Sequence, residues 1–81
     1  MDRRMIRQML GEVIDEMLDK GIYWPEFSSQ LEKLYIMSAL SKTNGSVYKA
    51  AELMGIHRNT LSKRIQEYGI DKSKLRKKNK A

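Results

Sequence analysis

The chain has 81 residues, with 16 Lys and Arg against 10 Asp and Glu and no cysteine. That bounds it to one domain without disulfides or thiolate metal sites, small enough that a partner subunit is the expected route to added stability. The formal charge of +6 is uneven: residues 1–41 hold five basic and seven acidic side chains, residues 42–81 eleven and three. A polyanion-facing surface is therefore expected on the second half. Arg3, Arg4 and Arg7 are followed by Glu12, Asp15 and Glu16 rather than an unbroken apolar run. Neither a secretory signal nor a membrane span is expected, and the cytoplasm is the expected compartment.

From Met5 to Leu18 apolar residues come in adjacent pairs every four positions: Met5-Ile6, Met9-Leu10, Val13-Ile14 and Met17-Leu18. This spacing predicts an α-helix with a wide apolar stripe, ending at Lys20-Gly21. Gly11 inside it marks either a close helix crossing or simple tolerance. Arg3, Arg4 and Arg7 crowd the positive end of the helix dipole, and Asp15, Glu16 and Asp19 the negative end. Such a helix suits antiparallel pairing with its own copy, basic end to acidic end; packing on the protomer's own core is the other reading.

Pro25 suits a first helical turn, and Ser29-Gln30-Leu31-Glu32 matches a capping box, so a second helix is expected to begin between Pro25 and Ser29 and to run to about Lys42. Phe27, Leu31, Leu34, Tyr35, Ile36, Met37, Ala39 and Leu40 make it apolar on more than one side. It then needs two covers, one from the remaining helices and one from a partner. Tyr23 and Trp24 are read as core or interface aromatics.

Asn44-Gly45 predicts a tight turn and Ser46 the N-cap of a third helix. That helix is short and small, with Ala50 and Ala51 side by side, and Gly55 marks a sharp turn after it. A fourth helix keeps Leu61, Ile65 and Tyr68 on one face and Arg58, Asn59, Ser62, Lys63 and Gln66 around the rest. The pattern is a helix-turn-helix whose second helix suits a DNA major groove. His57, beside the turn, is a cap or a contact to base or phosphate. Lys72, Lys74, Arg76, Lys77, Lys78 and Lys80 form a basic tail, read as disordered and adding phosphate attraction or only solvation.

The stretch from Leu31 to Asp71 resembles the Fis-type helix-turn-helix family. That family includes the nucleoid protein Fis and the C-terminal DNA-binding domain of NtrC-class enhancer-binding activators. The resemblance rests on Asn44-Gly45, on AAxxxGI from Ala50 to Ile56, and on RxTLxKRIxxYGI from Arg58 to Ile70. It implies an all-α, four-helix protomer: dimerisation helices over residues 1–43, a helix-turn-helix DNA-binding unit over 44–71, and the tail over 72–81. It also implies a homodimer, built here from Met5, Met9, Leu10, Val13, Ile14, Met17, Leu34, Ile36 and Met37. Base contacts are expected from His57, Arg58, Asn59, Thr60 and Lys63. Phosphate contacts are expected from Ser46, Tyr48, Lys49, Arg64, Lys72 and Lys74. Tyr48 departs from the small polar residue expected there.

The implied function is sequence-specific binding of double-stranded DNA at a two-fold site, as a transcriptional regulator or nucleoid-associated protein. The alternative is a protein–protein interaction module that keeps the same fold. No β-hairpin arm precedes the first helix, so the recombination role of that arm is not expected. No Gly-rich phosphate loop is present, so ATP hydrolysis is not expected. A single histidine without cysteine, and no nucleophile–base set, predict no catalytic or metal site, no cofactor and no small-molecule substrate.

Overall fold

The computed structural model describes residues 1–72. Among them run four helices and no strand: α1 (Arg3–Asp19), α2 (Trp24–Lys42), α3 (Val47–Met54) and α4 (Arg58–Tyr68). The predicted all-helical order is observed. The tail from residue 73 onward, including Lys74, lies outside the described residues.

All four helices stop the same way. One or two residues past each end the chain enters the left-handed region, at Gly21, Asn44, Gly55 and Gly69. The next N–H then reaches back five residues, as from Ile22 to Met17 (3.0 Å), Gly45 to Leu40 (2.8 Å), Ile56 to Ala51 (3.0 Å) and Ile70 to Ile65 (3.1 Å). This closure satisfies carbonyls that the helix leaves without a partner. Asn44, at φ 56°, is the non-glycine member, and asparagine tolerates that region better than most residues.

The helix starts are more varied. Asp2 Oδ1 accepts the Met5 N–H at 3.0 Å, placing an acid at the α1 terminus that Arg3, Arg4 and Arg7 crowd. Ser46 Oγ accepts the Lys49 N–H at 3.2 Å and caps α3 as predicted. The start of α2 differs from expectation. It begins at Trp24 with Pro25 in its first turn and no side-chain cap, so Ser29 and Glu32 lie inside the helix and form no capping box. The proline alone sets this terminus, since its fixed φ suits a first turn and its missing N–H costs nothing there.

The core lies between the second half of α2 and the helix-turn-helix. Ile36, Ala39 and Leu40 of α2 meet Ala50 and Ala51 of α3 and Leu61 and Ile65 of α4, with Val47, Met54, Tyr68 and Ile70 packed around them. The paired alanines let α3 approach both neighbours closely. Ile36 corrects an expectation: at 1% exposure it belongs to this core and is not available to a partner subunit. A helix apolar all round does not reveal from periodicity which side faces which cover.

α1 stands apart. No Cα of α1 comes within 8 Å of a Cα in another helix, and none of its residues is buried. Met5, Ile6, Met9, Leu10, Val13, Ile14 and Leu18 remain 39–67% exposed. The reading in which α1 packs on its own protomer's core is thereby excluded. Gly11 has nothing within 4 Å of a built Cβ, so it marks no close crossing within the protomer. Tyr23 and Trp24 are also exposed, at 77% and 69%, and are not core residues. Trp24 sets its ring edge-on to Phe27, centroids 5.9 Å apart, beside Ile14, Met17 and Ile22 at the α1–α2 corner. No helix among the described residues is long and apolar enough to cross a membrane.

Candidate nucleic-acid interface

The candidate interface comprises the start of α3, the turn after it and the start of α4. Gly55 makes that turn possible: its φ of 74° lies where a side chain costs about 1–2 kcal/mol, although nothing would crowd a Cβ there. The chain then enters α4 through His57, whose Nδ1 accepts the Asn59 N–H at 3.0 Å. As an acceptor, Nδ1 carries no proton, so the ring proton of the neutral imidazole sits on Nε2. His57 is thus both an N-cap and a donor. The two roles left open by the sequence are compatible in one side chain.

Along α4, Leu61 and Ile65 are buried, while Arg58, Asn59, Thr60, Ser62, Lys63 and Gln66 are exposed. The helix therefore shows a polar, cationic face opposite its core face. In α3, Tyr48 and Lys49 are exposed in the first turn behind the Ser46 cap. A shallow cleft lined by Tyr48, Glu52, Ile56, His57 and Arg58 joins the two N-termini. Backbone N–H groups at such termini, reinforced by the helix dipole, attract phosphate. The structure thus brings His57, Arg58 and Tyr48 together at this cleft, while Lys49 follows Tyr48 in α3 and Lys63 lies further along α4. Lys72 is exposed beyond α4.

Arg64 faces carboxylates of α2 and α4. Its Nε lies 3.4 Å from Glu32 Oε2 and its Nη1 3.5 Å from Glu67 Oε1. Its guanidinium is engaged by two carboxylates rather than left open. Tyr68, in the last turn of α4, donates its hydroxyl to Glu32 Oε1. That hydrogen bond, with burial and the Glu32 charge adding to it, holds the Tyr68 phenol above its ordinary pKa. This link between α2 and α4 was not legible in the sequence, where Glu32 looked like half of a capping box. No cluster of His, Cys, Asp and Glu suited to a metal occurs among the described residues.

Residues 28–68, half of the chain, match the family described as bacterial regulatory protein, Fis family. The chain belongs to the Fis family. It carries that family's DNA-binding helix-turn-helix, a binding module rather than an enzyme fold, and the match takes in α2 from residue 28 onward, α3, α4 and the Glu32–Tyr68 link. Among its relatives is the DNA-binding transcriptional regulator NtrC of Rhizobium meliloti (strain 1021), 37% identical over 65 residues, 80% of this chain and 13% of that protein. NtrC of Azospirillum brasilense is 39% identical over 56 residues, 69% of this chain and 11% of that protein. A protein of Xylella fastidiosa (strain 9a5c), described as Fis-like and DNA-binding, is 29% identical over 68 residues, 84% of this chain and 69% of that protein. The chain thus spans only a small part of the NtrC relatives. No solved structure matches it significantly.

Proposed function

We propose that this Fis-family chain reads double-stranded DNA as a homodimer at an inexact two-fold site, within an intracellular transcriptional regulator or nucleoid-associated protein. The observation that carries the reading is the division of α4: Leu61 and Ile65 are buried under α2 and α3, while Arg58, Asn59 and Lys63 are exposed on the face that leaves from the capped N-terminus of α4. Arg58 pairs with guanine O6 and N7, and Lys63 reaches a base or the adjoining phosphate. His57 donates through Nε2 to a base or phosphate acceptor, and Asn59 and Thr60 complete the base-facing turn. Ser46, Tyr48, Lys49 and Lys72 set the register on the backbone. Arg64, held by Glu32 and Glu67, is left out of that set.

The dimer rests on α1. Most helical stability in proteins comes from packing of an apolar face, and apart from the corner with Trp24 and Phe27 the α1 face has no cover within the protomer. Met5, Met9, Leu10, Val13, Ile14, Met17, Leu34 and Met37 supply the apolar surface for a second copy. These side chains are already partly covered, so completing their burial gains a part of the roughly 1.5–3 kcal/mol that full burial of a large apolar side chain supplies. Selection of bound sites from random duplex DNA tests the reading. A two-fold consensus with fixed half-site spacing supports it, and recovery of unrelated sequences contradicts it.

A further inference from the structure

Glu32 of α2 holds α4 by both hydrogen bond and ion pair, through its two carboxylate oxygens, and Ser29 of the same helix adds a side-chain hydrogen bond to Tyr68. Oε1 accepts the Tyr68 hydroxyl and Oε2 faces Arg64 Nε at 3.4 Å. Tyr68 lies in the last turn of α4 and packs against the core, and Arg64 sits one turn earlier on the same flank. The buried contacts of α4 come from Leu61 and Ile65, which are smooth and apolar. Apolar packing of that kind is non-directional and resists sliding or rotation of a helix less than it resists separation. Directional, charge-assisted bonds at one end fix the remaining freedom.

We propose that Glu32 is a positioning residue for DNA recognition: through Tyr68 and Arg64 it sets the angle of α4 against α2, and so the aim of Arg58 and Lys63. The inference rests on the DNA-binding reading above. α2 also carries Leu34 and Met37, on the surface offered to a second copy, so an orientation fixed against α2 is an orientation fixed against the dimer frame. Arg64 then serves discrimination without touching a base.

The test compares affinity for a duplex selected by the wild-type chain with affinity for a random duplex of equal length, for wild type, Glu32→Gln, Glu32→Ala and Tyr68→Phe. Glu32→Gln keeps an acceptor for Tyr68 and loses the charge facing Arg64; Tyr68→Phe does the reverse. Glu32→Ala should lower the ratio of selected to random affinity by about fivefold or more, the scale of a lost charge-assisted bond, with Glu32→Gln and Tyr68→Phe each falling between it and wild type. Random-duplex affinity should hold or rise, since an acidic group is removed. A residue needed only for folding would weaken both duplexes in proportion and leave the ratio unchanged, and that result overturns the proposal. Should Glu32→Ala fail to fold, the two conservative variants decide on the same ratio. A wild-type ratio of one removes the DNA-recognition reading itself, and this inference with it; a high wild-type ratio kept by all three variants removes only the role of Glu32.

Discussion

The imidazole of His57 accepts the Asn59 N–H through Nδ1, so the residue that opens α4 caps it and leaves only a donor to face outward. Replacing His57 by Ala should cost about 0.5–2 kcal/mol of stability, the range of a lost N-cap. Replacing it by Ser or Asn should restore most of that stability, because both supply a side-chain oxygen acceptor. Thermal or urea denaturation of the three variants checks this. Equal stability of wild type and Ala would show that the cap contributes nothing.

A Cβ at Gly55 has nothing within 4 Å, so alanine there meets no clash. Its φ of 74° alone should make Gly55→Ala destabilising by about 1–2 kcal/mol. A neutral result in denaturation would mean that the turn between α3 and α4 relaxes to another geometry.

The Tyr68 phenol gives a pH signature. Its hydrogen bond to Glu32, aided by burial, raises its pKa above the ordinary value of 10.0. A group whose folded pKa is raised contributes stability that is fully present below the unfolded value and is lost as pH rises through the folded one. Wild type should therefore lose an increment of stability above about pH 10 that Tyr68→Phe does not lose. Denaturation at pH 9 and pH 11 measures the difference, and parallel losses in both proteins would contradict the link.

Much of the helix-turn-helix was legible because its signals are local. Ser46 and His57 stand at starts, Asn44, Gly55 and Gly69 at stops, and Leu61, Ile65 and Tyr68 recur at helical spacing. Each depends only on neighbours within a turn or two. What the sequence misled on involves distance along the chain or a choice among faces. Glu32 matched a local capping pattern, yet its partners Arg64 and Tyr68 lie more than thirty residues away. Ile36 sits on a helix apolar all round, where periodicity cannot say which side the protomer covers. The early start of α2 at Trp24 follows from Pro25 and needed no cap.

The charge order along α1 carries a prediction about assembly. Arg3, Arg4 and Arg7 lie at one end and Asp15, Glu16 and Asp19 at the other, with Glu16 also 3.1 Å from Lys20. In an antiparallel pair of α1 helices the opposite ends meet. Reversing the three acids should weaken dimerisation, and reversing the three arginines as well should restore it. Sedimentation equilibrium at low and high salt follows both changes, and salt should blunt them. An unaltered monomer–dimer equilibrium would exclude the antiparallel arrangement.

Base and phosphate contacts separate by their response to sequence and salt. Arg58→Ala should cost about 1–3 kcal/mol of discrimination at one base pair of the half-site. Lys49→Ala should weaken all duplexes alike and reduce the slope of log affinity against log salt by about 0.9. Titrations of selected and random duplex at several salt concentrations distinguish them. A uniform loss for Arg58→Ala would move that residue from base reading to backbone contact.

The mass of the protein–DNA complex, measured by sedimentation equilibrium on a single selected duplex, bears most directly on the account. Two chains per duplex, binding together without a populated one-chain complex, is the result expected if α1 is covered by a second copy and both α4 helices read one site. A single chain bound with full affinity and full sequence preference would contradict it.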